Sequence, residues 1–162
     1  MRPIILRTVA VLFILACGCS YRMEISELAP GSIFVKSFRN KTFYHGFDEN
    51  FNFALHQVLL IQGSFEPVND ESVSDYILSG DIASIGKSVI RSGKNNLPIE
   101  YQFKCKIMYI LEGKQGDKFV TRRSLTRSWR YIPPIGETEQ SVLGKLSLFL
   151  AEELLRDMQQ NW

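Results

Sequence analysis

The sequence predicts an α+β fold in which a long, mostly antiparallel sheet carries two helices on one face. The first indication is the stretch from residue 99 to 112, IEYQFKCKIMYILE, in which apolar and polar residues alternate. Because successive side chains of a β-strand point to opposite faces, this pattern is typical of a strand with one buried and one solvated side. The second indication is two segments with apolar residues at helical spacing. The expected arrangement is a two-layer sandwich with the order β-α-β-β-β-α.

The first part of the chain predicts one strand and one helix. Residues 33–38 alternate between apolar and mixed positions and are interpreted as a strand, which a polar loop follows. Residues 47–59 carry apolar side chains at helical spacing. Asp48 and Glu49 suit the first turn of this helix, and Gly63 suits its end.

The next segment predicts a central strand. Residues 75–90 carry apolar side chains on both faces, which favours a position in the middle of the sheet. Gly80 and Gly86 interrupt this strand and are interpreted as β-bulges or a bend. A short strand at residues 65–68 is expected before it.

The last part of the chain predicts two more long strands and a second helix. Turn residues at 92–96 and 113–117 flank the alternating strand. Residues 118–132 follow as the last strand, rich in Arg and Thr. A helix is then expected over residues 139–159, with Thr138 as its N-cap.

The N-terminus has the composition of a lipoprotein signal peptide. Arg2 and Arg7 form a positive region before an apolar run at residues 9–16, which is too short to cross a bilayer. The following sequence ACGCS resembles a bacterial lipobox, in which a lipidated cysteine becomes the mature N-terminus. Both Cys19 and Cys17 fit that position, and the choice between them stays open. A plain secretory peptide with incidental cysteines is the alternative interpretation.

Three segments follow from this interpretation. Residues 1–18 are the signal peptide, residues 19–31 are a tether, and residues 32–162 form a single α+β domain. Several acyl chains on one cysteine hold a soluble domain durably at a membrane, because each buried CH₂ stabilises the attachment by about 0.8 kcal/mol. We therefore expect an extracytoplasmic protein that meets the membrane through its lipid anchor.

The charge is segregated along the chain. The formal net charge of +2 falls to 0 when the signal peptide with Arg2 and Arg7 is removed, so net charge implies no partner and no nucleic-acid binding is expected. Residues 43–86 contain seven acids and no Lys or Arg, whereas residues 87–131 contain eleven Lys or Arg and three acids. Since the second segment holds the predicted strands, the basic charge belongs to the sheet.

Exposed cations on the sheet are the candidate binding residues. Lys87 and Arg91 lie near the end of the strand at residues 75–90. The other candidates are expected on the solvated faces of the last two strands: Lys104, Lys106, Arg122 and Arg130. The alternative is that all of these are ordinary solvated positions whose charge discourages edge-to-edge pairing of sheets.

Catalytic and metal-binding patterns are missing from the sequence. His45 and His56 are the only histidines, and neither has neighbours at a spacing that resembles a zinc site. No Gly-x-Ser-x-Gly nucleophile motif is present, and Cys105 falls on the buried side of its strand, where a cysteine is usually a small hydrophobe. We expect a protein that is not an enzyme and needs no cofactor.

Several short motifs resemble those of the lipopolysaccharide (LPS) assembly lipoprotein family (LptE-like). They are a lipobox cysteine followed by Tyr, at Cys19-Ser20-Tyr21; Phe-x-Asn-x-Thr, at residues 38–42; and Asp-Tyr-x-Leu-x-Gly, at residues 75–80. The resemblance covers nearly the whole mature chain. The usual Cys-Gly-Tyr of the family is Cys-Ser-Tyr here if Cys19 is the anchor, and the spacing to Tyr21 departs from the pattern if Cys17 is.

The resemblance implies an outer-membrane lipoprotein that plugs the LPS translocon β-barrel, assists its assembly and contacts LPS, facing the periplasm or lying in the barrel lumen. Lipid A phosphates attract Lys and Arg by charge-assisted hydrogen bonds, which makes the four cations of the last two strands the candidate LPS contacts. A different class stays open: a periplasmic adaptor lipoprotein that activates a peptidoglycan synthase or another envelope complex. A structural lipoprotein without a ligand is a third possibility.

Overall fold

The computed structural model describes residues 30–114, 119–133 and 136–160. The predicted signal peptide and nearly all of the tether, with Cys17 and Cys19, lie outside the described residues. The described strands are β1 Gly31–Val35, β2 Arg39–Asn40, β3 Phe65–Val68, β4 Tyr76–Ser92, β5 Pro98–Gly113 and β6 Phe119–Tyr131. The described helices are α1 Phe47–Gln62 and α2 Glu139–Gln160.

The strands form one mixed sheet with the order β3-β1-β4-β5-β6, and β2 pairs with β4 beside this path. The long strands β4, β5 and β6 are antiparallel to one another. The short strands β1, β2 and β3 make only parallel pairings. The predicted α+β class and the central position of β4 are confirmed. The sequence did not predict β2, because a strand of two residues is too short to show an alternating pattern.

Both helices pack on one face of the sheet, and the core lies between the two layers. The predicted alternation of β5 is confirmed, because Phe103, Cys105 and Ile107 are fully buried while Lys104 and Lys106 between them are exposed. We call the helix-covered face of the sheet the inner face and the opposite face the outer face.

The helix ends are those that the sequence predicts. Gly63 closes α1 with a φ of 62°, a left-handed conformation that glycine adopts at little cost, and its N–H donates to Leu59 O. At the start of α2, Ser141 N donates to Thr138 Oγ1 at 3.1 Å. Thr138 is therefore the N-cap that satisfies one of the free N–H groups of the first turn.

The interpretation of the β4 glycines as bulges is wrong. The register between β4 and β5 shifts between Ile82 and Ser84 and again beyond residue 89, whereas Gly80 and Gly86 each have a paired partner in β5. The register shifts occur at residues other than glycine, and no sequence pattern predicted them.

Gly80 is instead required by close packing of an aromatic ring. A Cβ at this position would lie 2.3 Å from Cε1 of Phe38 and 2.5 Å from the carbonyl oxygen of Met108. β1 ends at Val35, three residues earlier than predicted, so the chain turns and places Phe38 in the core. There its ring meets that of Phe51 edge-on, with the ring centroids 5.1 Å apart.

Two of the motifs that carry the resemblance have structural roles. Asn40 Oδ1 accepts hydrogen bonds from the N–H and the Oγ1 of Thr42, at 2.9 and 2.7 Å, and Asn40 Nδ2 donates to Tyr44 O at 2.7 Å. Asp75 Oδ2 accepts from the N–H and the Oγ of Ser32, at 2.7 and 2.8 Å, which ties the start of β4 to β1. These bonds satisfy half-buried polar groups where the chain leaves β2 and where it enters β4.

Candidate functional site: the outer face of the sheet

The outer face of the sheet carries all four cations selected from the sequence. Residues that pair directly in neighbouring antiparallel strands lie side by side on one face. Lys104 pairs with Ser128 and Lys106 with Thr126, while Arg122 pairs with Ile110 and Arg130 with Gln102. All four cations are exposed, and neither of the two described helices covers this face of β5 and β6.

The four cations differ in how far their charge is already neutralised. Arg130 Nη1 lies 3.8 Å from Glu100 Oε1, and Glu100 also pairs with Arg91, at 3.4 Å. By contrast, no described residue forms an ion pair with Lys104, Lys106 or Arg122. The positive charge that is free to meet a ligand is therefore on Lys104, Lys106 and Arg122, and Arg130 contributes less.

A shallow depression of about 460 Å³ lies on the outer face beside two of these cations, Lys106 and Arg122. Lys106 and Arg122 line it together with Met108 and Ile110. Met108 is 43% exposed, and Val120, which pairs with Glu112 nearer the end of the sheet, is 58% exposed. The outer face thus combines unpaired cations with apolar side chains, a combination that suits an anionic amphiphile.

Among the described residues, Asp81 is the only acid that lines this depression, and two cations at its edge balance its charge. Lys41 Nζ lies 2.8 Å from Asp81 Oδ2, and Arg39 Nε donates to Asp81 Oδ1 at 2.9 Å. The hydrogen bond from Lys41, with the smaller contribution of Arg39, holds the pKa of Asp81 below its usual value. Asp81 therefore stays ionised and paired, and it does not cancel the charge of Lys106 or Arg122.

Lys87, which the sequence grouped with the basic surface, belongs to the inner face. Its Nζ lies 2.6 Å from Glu139 Oε2 at the start of α2, and 4.6 Å from the centroid of the Tyr101 ring. The rings of Phe103 and Tyr131 lie within 6 Å of the same ammonium group. The hydrogen bond to Glu139 raises the pKa of Lys87, so this cation fastens β4 to α2 and is not offered to a ligand.

The described residues give no sign of a metal site. Nowhere in the described ranges do three or more His, Cys, Asp or Glu side chains lie close enough together to hold a metal ion. Cys105 is fully buried, and burial raises the pKa of its thiol to about 12. A thiol in that state is a poor nucleophile at neutral pH. Neither described helix combines the length and hydropathy needed to cross a membrane.

The fold has solved counterparts, two of which are bacterial lipoproteins. A minor lipoprotein from Acinetobacter baumannii is 16% identical with a TM-score of 0.51, and the match covers 78% of this chain and 90% of that one. An uncharacterized lipoprotein B from Nitrosomonas europaea is 15% identical with a TM-score of 0.52, over 88% of this chain and 90% of that one. The PelC dodecamer from Paraburkholderia phytofirmans is 13% identical with a TM-score of 0.52, over 82% and 91%.

No protein-family model and no curated protein sequence matches this chain. At these identities the structural matches show a shared fold and nothing finer. The chain therefore has a fold that bacterial lipoproteins also adopt.

Proposed function

We propose that this protein is an outer-membrane lipoprotein that assists assembly of the LPS translocon β-barrel, plugs it, and contacts LPS during delivery to the cell surface. The observation that carries the proposal is the outer face, where Lys104, Lys106 and Arg122 have no ion-pair partner among the described residues and stand beside Met108 and Ile110. Lipid A presents phosphates and acyl chains, and this face offers cations and apolar side chains to both.

The anchor is consistent with this role. The lipobox-like sequence around Cys17 and Cys19 predicts attachment to a membrane, and a fold shared with bacterial lipoproteins supports it. A lipid anchor that precedes β1 in the sequence would hold the domain near the site of LPS export.

The strength of the expected contact suits a lipid in transit. Each exposed cation contributes little by itself, because water and salt screen its interaction with a phosphate. Several cations acting on one lipid give useful affinity while still allowing the lipid to leave. We expect LPS binding that is measurable, salt-sensitive and readily reversible.

The test is recovery of the partner from membranes. The full chain with a C-terminal affinity tag is expressed in its host, outer membranes are solubilised in mild detergent, and the captured proteins are identified by mass spectrometry. We expect a large β-barrel LPS translocon protein at a stoichiometric level. Recovery of a peptidoglycan synthase in its place, with no barrel, would support the adaptor class and refute the proposal.

The matched control is the same tagged chain with Cys17→Ala and Cys19→Ala, which keeps the described domain unchanged. If capture depends on anchoring at the outer membrane, the barrel is lost or reduced in this control. If an unanchored chain captured the barrel equally well, anchoring would not be needed for partner binding and that part of the proposal would be wrong.

A further inference from the structure

We propose that the edge of β6 that faces away from β5, called here the β6 edge, docks an extended acidic segment of another protein, which joins the sheet as a further strand. β6 is the last strand in the sheet order, and β5 is the one described strand with which it pairs. Such docking would be independent of the proposed function, because it uses backbone pairing with a polypeptide and no lipid.

The length and regularity of β6 suit its edge to strand pairing. The 13 residues of β6 span roughly 40 Å, pair with β5 without a register shift, and include neither Gly nor Pro. Alternate residues of an antiparallel strand direct both N–H and C=O to the same side, so about six residues of β6 direct theirs away from β5. One acceptor of the strand, Thr126 O, takes a hydrogen bond from Arg127 Nη1 at 3.0 Å. The row of backbone groups along such an edge is a template for an added strand.

The opposite edge of the sheet is poorly suited to such pairing. β3 forms that edge, and it has only 4 residues, one of which is Pro67. Proline has no N–H to donate, and a short edge strand with a proline is a common protection against unwanted strand addition. Since β6 has neither protection, strand addition is favoured at the β6 edge.

Charge selects the kind of strand that can pair there. β6 contains four arginines and no acid. On its outer face, Arg122 has no ion-pair partner among the described residues, and Arg130 meets Glu100 only at 3.8 Å, with its side chain 75% exposed. Side chains directly opposite in neighbouring strands stabilise the pair when their charges are opposite and destabilise it when the charges are alike. A second β6 would place four arginines beside four others, so charge disfavours a second copy of the chain and favours an acidic strand.

The inner side of the β6 edge offers an apolar contact to the same strand. The rings of Trp129 and Phe149 meet there with their centroids 5.4 Å apart, and both side chains are half-buried. Arg127, two residues from Trp129 on the same face, pairs with Glu153 of α2 at 2.6 Å, so its charge is already balanced. Because side chains of a strand alternate between two faces, a segment with acids on one face and apolar residues on the other fits both sides of this edge.

The binding test uses the full chain in a mild non-ionic detergent and a fluorescent peptide, Glu-Val-Thr-Val-Thr-Val-Thr-Val-Glu. Its two acids have the same separation in sequence as Arg122 and Arg130, and its valines lie on the other face. Fluorescence anisotropy is expected to show binding roughly tenfold tighter or more than that of the same peptide with Lys in place of Glu. Absence of binding, or equal binding of the two peptides, would overturn the proposal.

Backbone pairing is tested by amide hydrogen exchange of the wild-type chain. At a saturating concentration of the acidic peptide, the amides of β6 that face away from β5 should exchange roughly tenfold more slowly, because they gain a hydrogen-bond partner. The amides of β3, at the opposite edge of the sheet, should exchange at an unchanged rate. Unchanged exchange in β6 would show that the peptide does not pair as a strand, and it would overturn the proposal.

Charge-reversed variants test the position of the site. The double variant Arg122→Glu, Arg130→Glu is expected to bind the acidic peptide roughly tenfold more weakly or worse, and to bind the Lys peptide more tightly than the wild type does. The matched control is Lys104→Glu, Lys106→Glu, which makes the same charge change on the same face but one strand, about 4.8 Å, farther from the added strand. We expect this control to weaken binding less than about threefold, because water and salt screen exposed charges. Equal weakening in both variants, with circular dichroism showing both folded, would overturn the assignment to the β6 edge.

A photoreactive residue distinguishes an acidic partner from a second copy. Benzoylphenylalanine in place of Thr126, exposed on β6, is expected to crosslink to the acidic peptide, whereas the same residue in place of Ser88, exposed on β4, is expected not to. Crosslinks between copies of the chain from position 126 that excess peptide does not suppress would overturn the choice of an acidic partner. If the wild-type chain captures the translocon barrel but does not bind the acidic peptide, the β6 edge is wrongly assigned and the proposed function stands.

Discussion

Replacing Gly80 by Ala is a direct test of how the core is packed. The added Cβ would lie 2.3 Å from Cε1 of Phe38 and 2.5 Å from the carbonyl oxygen of Met108. Non-bonded carbon atoms pack at about 3.5–4.0 Å, so the overlap with the ring is more than about 1 Å. Because the Met108 oxygen belongs to the backbone of β5, only the ring can move, and its movement would disturb the contact with Phe51. Overpacking of this kind costs about 1–3 kcal/mol.

The matched control is Gly86→Ala, on the same strand. No atom lies within 4 Å of a Cβ at position 86, and neither Gly86 nor Gly80 has a positive φ. Loss of glycine flexibility in the unfolded chain then stabilises the Gly86 variant by about 0.4–1 kcal/mol. The free energies of unfolding of the two variants should therefore differ by about 2 kcal/mol, equivalent to about 1 M in the midpoint of urea unfolding.

The assay is urea unfolding of both variants and the wild type, followed by circular dichroism, with equal slopes required for the comparison. Equal midpoints for Gly80→Ala and Gly86→Ala would refute the reasoning, since they would show that Phe38 does not pack against β4. A stabilised Gly80 variant would refute it more strongly.

Three further predictions concern the core, the pH dependence and the anchor. Cys105→Ala should lower the free energy of unfolding by about 1 kcal/mol or less, whereas Cys105→Asp should lower it by about 3 kcal/mol or more, because it buries an unpaired charge. Burial raises the pKa of the Cys105 thiol to about 12, so this thiol should react with a thiol reagent at pH 8 only when the chain unfolds. Rapid reaction in the folded chain would show that the strand register is wrong. Asp75 accepts hydrogen bonds from the N–H and the hydroxyl of Ser32, and these bonds lower the pKa of Asp75. The stability that the ionised Asp75 contributes is therefore present above about pH 4 and is lost as the pH falls through the pKa of the folded state. The midpoint of urea unfolding should fall less between pH 6 and pH 3 in Asp75→Asn than in the wild type, and equal falls in both proteins would contradict this prediction. Changing both Cys17 and Cys19 to Ala should release the protein from membranes, and radiolabelled palmitate still incorporated into the double variant would show that the anchor is at neither cysteine.

The sequence predicted the parts of the fold that depend on local pattern. The alternation of apolar and polar residues in β5 correctly predicted that Cys105 lies on the buried face and that Lys104 and Lys106 lie on the opposite face. Gly63 and Thr138 marked helix ends because their backbone or side-chain chemistry acts within a few residues. These signals need no knowledge of which strand pairs with which.

Features that depend on distant partners could not be predicted in the same way. The role of Gly80 depends on Phe38, forty-two positions earlier, turning into the core after β1 ends. Lys87 belongs to the inner face because Glu139 and the aromatic rings meet it there. The pairing of Arg130 with Glu100 required the register between β5 and β6. For the candidate site, the sequence predicted the four cations. Only the structure showed that Arg130 pairs with Glu100, whereas Lys104, Lys106 and Arg122 have no ion-pair partner among the described residues.

The central claim is that the outer face of the sheet is where this protein meets LPS. The most direct measurement is an LPS pull-down with the full chain at two salt concentrations, comparing the wild type with a variant in which four cations are reversed to Glu: Lys104, Lys106, Arg122 and Arg130. Since all four are exposed, circular dichroism should show an unchanged fold. We predict that wild-type binding weakens as salt rises, because screening acts over about 10 Å at 0.1 M, and that the folded variant does not bind. Wild-type affinity in the folded variant would contradict the claim.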